Sequence, residues 1–303
     1  MALSSRLASL AQRELLMVTG KGGVGKTAVS AVLGLALSRA GRRVLVVEVD
    51  PRENLHQMLG VPPSGGAVVP AGPRLWVQNL KPAEVLDEVV REQVRIELIV
   101  RRVLASDVYK HFAAAAPGLK ELAILGHALR LLRGRERGAP ALDLVILDAP
   151  ATGHGVSLLA APQLVSEVIR SGPFGRLAGE LAAWLADPGR CGIAVVTQAE
   201  EMPVEEALEL RAALRERLDR SPELLVINGL YPPFPAVADA AMLPPADDAL
   251  TSLWRRRRAL NDRELARLRA RWEGPAIELP QLPIDRGPAL VAALADRLEA
   301  RPN

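Results

Sequence analysis

The run Gly20-Lys21-Gly22-Gly23-Val24-Gly25-Lys26-Thr27 constrains this chain more than any other, because it satisfies G-x-x-x-x-G-K-[ST]. An apolar, strand-like stretch, Leu15-Leu16-Met17-Val18, leads into it, and an apolar helical pattern opens near Thr27. In that setting glycines let successive backbone N–H groups turn onto phosphate oxygens, and the following helix presents its positive end to the anion. Gly22, Gly23, Val24, Gly25, Lys26, Thr27 and Ala28 then form a cradle for the phosphates of a nucleotide. Lys26 reaches the β- and γ-phosphates and the Thr27 hydroxyl holds Mg²⁺. A plain glycine turn is the alternative, and the strand before and helix after it weigh against that.

The rest of the chain repeats the strand–helix alternation. The pattern over 27–40 is apolar almost all round, as in a helix packed on a sheet, and Gly41 suits its stop. The β-branched run 44–49 reads as a buried parallel strand and ends at Asp50-Pro51, where open α/β sheets bind ligands. Residues 62–73, rich in Pro and Gly, read as a loop, and 75–80 as a short strand. Between 82 and 133 the pattern turns helical, with Leu86, Val89, Val90, Val94, Ile99 and Val103 as a stripe and a break at Pro117-Gly118. This block either stands apart as a helical insertion (82–135, with 163–188 contributing) or covers the sheet.

Residues 142–147 form another strand, capped by Asp148, a carboxylate placed to support Mg²⁺ or its water shell. The loop 149–154 follows, then helical sequence over 162–188 interrupted at Gly172-Pro173. A strand over 192–197, a helix over 203–218 and a strand over 224–227 ending in Asn228 come next. Beyond a Pro- and Ala-rich loop lie an arginine-dense helix (252–272), a last strand (276–279) and a closing helix (288–300). Acidic residues interrupt the arginines, so the dense helix reads as a solvated face rather than a nucleic-acid patch. The fold class is α/β, one domain over 1–303: a doubly wound, mostly parallel sheet flanked by helices, with a helical insertion.

Composition narrows the setting. A net charge of +3 from interspersed arginines and acids gives no argument for nucleic acid. One cysteine, Cys191, excludes an internal disulfide and a self-contained cysteine metal site. No apolar run approaches the roughly 20 residues that span a bilayer, and the phosphate loop comes too early for a cleavable leader. Cytoplasm is the expected compartment.

The second lysine, Lys21, is not required by the motif. With it, K-G-G-V-G-K-T resembles the deviant loop of the ATPases that include ParA, MinD, the nitrogenase iron protein, ArsA and the tail-anchored-protein-targeting ATPase. Further segments are similar to the ArsA branch: Asp50-Pro51 with Asn54-Leu55 at its first switch, Asp148 to His154 at its second, and Pro203-Val204-Glu205-Glu206-Ala207. Val226-Ile227-Asn228, the arginine-rich helix and Leu279-Pro280 also look like that branch. This chain departs from it at Ala28, at Arg52-Glu53 and in the spacing of D-A-P-A-T-G-H.

The resemblance implies a Mg²⁺-ATP hydrolase working as two facing subunits, a homodimer or a heterodimer with a related ATPase. In that arrangement Asp50 orients the attacking water and belongs with Thr27 and Asp148 around the metal. Lys21 acts across the interface, Asn228 contacts adenine, and Pro280 lies beside it. Switch movement would be passed to an unidentified protein client, with no nucleic acid and no integral membrane segment, although transient contact with a membrane protein fits. One cysteine argues against metalloid activation and against a zinc-bridged pair or an iron–sulfur cluster. None of the five methionines falls in 82–133, so an adaptable groove for a membrane anchor is not indicated. A ParA- or MinD-like positioning switch on DNA or membrane is the alternative.

Overall fold

Leucine, valine and isoleucine runs without polar alternation bury both faces of a strand, and the sheet is built from them. The computed structural model describes residues 5–50, 53–93, 101–102, 104–107, 118–136, 138–149, 155–233 and 249–299. Its first part runs α1 (Ser5–Ala8), β1 (Leu15–Thr19), α2 (Lys26–Arg39), β2 (Val44–Glu48), α3 (Leu55–Leu59), β3 (Val69–Gly72), β4 (Leu75–Asn79) and α4 (Pro82–Gln93). There follow α5 (Leu119–Leu132), β5 (Leu144–Asp148), α6 (Gly155–Val168), α7 (Gly172–Ala186), β6 (Cys191–Thr197) and α8 (Glu201–Leu218). Then come β7 (Leu224–Leu230), α9 (Ala249–Arg271), β8 (Ala276–Pro280) and α10 (Pro288–Glu299).

The strands form one eight-stranded sheet in the order β3-β4-β2-β5-β1-β6-β7-β8. All neighbours are parallel except the β3–β4 edge pair. Alternate residues of the central strands feed two cores, one on each face. Leu16, Val18, Val46 and Ile146 pack with α2, α3 and α10 on one side. Leu15, Met17, Val47, Leu147 and Val195 pack with α5, α6, α7, α8 and α9 on the other. The doubly wound, mostly parallel α/β fold expected from the sequence is the one observed.

Local boundaries differ in instructive ways. The stretch 62–73, read as loop, contains β3, whose Pro70 and Gly72 are tolerated because the strand is a short edge with one bonded side. Helix α6 opens at Gly155 and carries Pro162 inside it, rather than starting there. A side chain at position 155 would collide with the Thr19 hydroxyl, so only glycine lets this helix start against β1. β7 continues past Asn228 to Leu230. In the helical block, α4 packs on α5, and the buried side of α5 joins the core under the sheet. Val94, Ile99 and Val103 of the expected stripe, and the break at Pro117, lie outside the described residues.

Candidate active site

The C-terminal end of β1 lies between β5 and β6. The chain leaves β1 toward β2 on one side and later places β6 on the other, so the connections part here and leave a crevice above the strand ends. The phosphate loop occupies that point. Gly25, at a φ of 90°, turns the loop into α2, and a side chain there would run into the Asn228 amide. Asn228 in turn donates its Nδ2 to the Val24 carbonyl at 2.9 Å. It braces the loop from β7, which lies two strands away from β1.

Lys26 is buried, and its Nζ donates to the carbonyls of Gly20 at 3.0 Å and Lys21 at 2.9 Å. Burial lowers its pKa, against the opposing pull of the Asp148 and Asp50 charges. One helical step on, the Thr27 hydroxyl donates to Asp148 Oδ2 at 2.6 Å, and Ser30, a turn further along α2, donates to Oδ1 at 3.3 Å. Burial pushes the Asp148 carboxyl up to about 7; hydrogen bonding to Thr27 opposes the shift and the charge of Glu48 adds to it.

Glu48 pairs with Asp148 in register on adjacent strands. It is 2% exposed; its Oε2 accepts from the backbone N–H of Asn54 at 2.8 Å and of Leu55 at 3.2 Å. Its Oε1 is buried without a hydrogen-bond partner. Asp50 lines the same cleft, its backbone carbonyl accepting from Asn79 Nδ2 at 2.9 Å. The cleft measures about 440 Å³ and brings together Gly23, Gly25, Lys26, Thr27, Ala28, Asp50 and Asp148 with Glu48, Met58 and Arg286.

Lys21 lies beyond this cleft, where its Nζ meets Glu206 Oε1 at 2.5 Å beside an open hollow shared with Gly22. Pro280 closes β8 opposite Leu230 and does not line the cleft. Pro51, Arg52 and residues 150–154 lie outside the described residues. Sequence reasoning missed Ser30, Glu48, Glu206 and Arg286. Ser30 was signalled by its spacing of three from Thr27, whereas Glu48 merely ends an apolar run and gave no such signal. Arg286 comes from a distant connection and carried no local signal.

The sequence family described as anion-transporting ATPase matches residues 13–172, more than half of the chain. The chain belongs to the anion-transporting (ArsA) ATPase family. ATPase BagA of Mycobacterium tuberculosis is 29% identical over 201 residues, covering 64% of this chain and 59% of that protein. The arsenical pump-driving ATPase of Escherichia coli is 29% identical over 263 residues, covering 78% of this chain and 43% of the relative. That of Acidiphilium multivorum is 28% identical over 243 residues, 74% of this chain and 41% of the relative. The chain thus spans between two fifths and three fifths of these relatives.

An ArsA-type phosphate loop implies Mg²⁺ beside Thr27, and the residues present fit it. Two buried carboxylates, Glu48 and Asp148, stand in register at the ends of adjacent strands, and one oxygen of Glu48 has no donor. Among the described residues no group of three or more His, Cys, Asp and Glu forms a cage. A cation shared with phosphate oxygens needs only one or two carboxylates from the protein. Cys191 offers no thiolate to a soft metal: it is buried in β6, and burial pushes its thiol up to about 12. No described helix is long and apolar enough to cross a membrane.

Proposed function

We propose that this chain is a Mg²⁺-dependent ATPase that hydrolyses ATP between two facing protomers and couples switch movement to a protein client. The observation that carries this reading is the Thr27–Asp148 bond next to buried Lys26, at the end of a loop whose Gly23 and Gly25 line the cleft. Phosphoryl transfer needs positioning and charge neutralisation rather than covalent help. Lys26 balances the β/γ charge, Asp50 orients the attacking water, and the backbone of 22–27 holds the phosphates. Thr27 and Asp148 would hold Mg²⁺, which would supply the remaining positive charge when bound. Lys21 exchanges Glu206 for the nucleotide of the facing protomer.

Phosphate release measured with ATP and Mg²⁺ tests the reading. Lys26→Ala should lower turnover by about 100-fold or more, the scale seen when one preorganised charge-stabilising group is removed. Asp50→Asn should keep ATP binding and lose turnover. Wild-type turnover by Asp50→Asn would end the water-positioning role, and no phosphate release by the wild-type chain would end the ATPase reading.

A further inference from the structure

Glu48 is a buried carboxylate of the cleft that the reaction as described leaves without a task. Its position is unusual in three respects. It is 2% exposed, yet it lines the cleft that holds Lys26, Thr27 and Asp148. It stands in register with Asp148 across the β2–β5 pair, so both carboxylates leave the sheet at the same level and on the same side. Its two oxygens have different surroundings: Oε2 accepts from the N–H groups of Asn54 and Leu55, while Oε1 has no partner.

A buried carboxylate oxygen without a donor is costly, and a native fold keeps one only where something supplies the missing contact. At the start of α3 the Asn54 side chain makes no capping bond, and Glu48 holds the Asn54 and Leu55 N–H groups from β2 instead. Between Glu48 and Asn54 runs the segment that carries Asp50. One oxygen of the Glu48 carboxylate therefore grips the far end of the loop holding Asp50, and the other is left without a donor.

We propose that Glu48 is a positioning residue that ties the hydrated Mg²⁺ beside Thr27 and Asp148 to the first switch, its Oε1 accepting from the metal's water shell while its Oε2 holds Asn54 and Leu55. This rests on the ATPase reading above. Glu48 touches neither substrate nor the reacting atoms; it sets how firmly the Asp50 segment sits when the metal is in place. Hydrated Mg²⁺ suits the gap better than direct ligation, because Mg²⁺ keeps several waters and outer-shell acceptors orient them.

The test combines one variant with one measurement on the unaltered chain. ATP analogue binding is first titrated in EDTA, then Mn²⁺ binding to the analogue-loaded protein is followed by electron paramagnetic resonance. Glu48→Gln should bind the analogue in EDTA like wild type and bind Mn²⁺ about tenfold more weakly, the usual scale for losing an outer-shell partner. In the wild-type chain, amide exchange at Asn54 and Leu55 should slow when Mg²⁺ is added to the analogue complex. Unchanged Mn²⁺ affinity in Glu48→Gln, or exchange at Asn54 and Leu55 indifferent to Mg²⁺ in wild type, overturns the proposal while leaving the ATPase reading intact. Failure of the wild-type chain to bind the analogue at all overturns both.

Discussion

His127 shows how one buried side chain sets a pH limit on this protein. It lies on α5, where its Nε2 meets Gln78 Oε1 at 3.1 Å and its Nδ1 meets an Arg130 guanidinium nitrogen at 3.1 Å. Gln78 has its own amide committed to the Gly66 carbonyl at 2.8 Å, so Oε1 is the end that faces the ring. His127 therefore donates from Nε2 and accepts at Nδ1, which is the neutral imidazole. Burial, with the Arg130 charge beside it, lowers its pKa to about 4. A depressed pKa means the unfolded chain takes up the proton first. The stability that neutral His127 contributes is present above about pH 6.5 and is lost as pH falls toward 4. One pKa unit is about 1.4 kcal/mol, so this loss reaches roughly 3 kcal/mol. Urea unfolding of His127→Gln at pH 7 and pH 4.5 should show lower stability at pH 7 and a shallower fall between the two. Parallel falls in variant and wild type would show that the ring is not held neutral.

At the scale of elements, the central strands and the loop between β1 and α2 were legible because their signals are local and redundant. A run such as Val44-Leu45-Val46-Val47 has one use in a soluble fold, and a glycine-rich loop between strand and helix has few. β3 was not legible, since its Pro70 and Gly72 argue against a strand and only a neighbour's edge makes it one. Glu48 was hidden for a related reason: it ends an apolar run, and its meaning comes from Asp148, a hundred residues away on β5. Asn228 was found, but the adenine contact implied by resemblance is a different task from the bond its amide makes to the Val24 carbonyl. The two roles separate experimentally. If Asn228 braces the loop, Asn228→Ala should weaken ATP, GTP and inorganic triphosphate alike, by about fivefold for a lost hydrogen bond near 1 kcal/mol. A loss confined to ATP in a binding titration would assign the side chain to the base instead.

For the whole molecule the open question is what faces the hollow beside Lys21. The arginines of α9 do not supply a free basic stripe: Arg258 meets Asp262, Arg263 meets Glu264, and Arg267 and Arg271 both meet Glu205. Lys21 and Glu206 are each about a third exposed and sit at 2.5 Å. Exposed pairs of this kind contribute about 0–1 kcal/mol, so the contact is a light latch that a facing protomer's nucleotide can replace. If two copies close over ATP, Lys21 must leave Glu206 to do so. Glu206→Gln should then tighten nucleotide-dependent pairing by up to about fivefold, and Lys21→Gln should abolish it. Sedimentation equilibrium with Mg²⁺ and a non-hydrolysable analogue reads both effects. The Glu206→Gln gain should shrink toward about 1 M salt, where the Debye length falls to about 3 Å and the wild-type latch is already screened. A chain that stays monomeric with saturating analogue and Mg²⁺, or pairing that Lys21→Gln leaves untouched, would put the catalytic site within one protomer and leave Lys21 as a surface lysine.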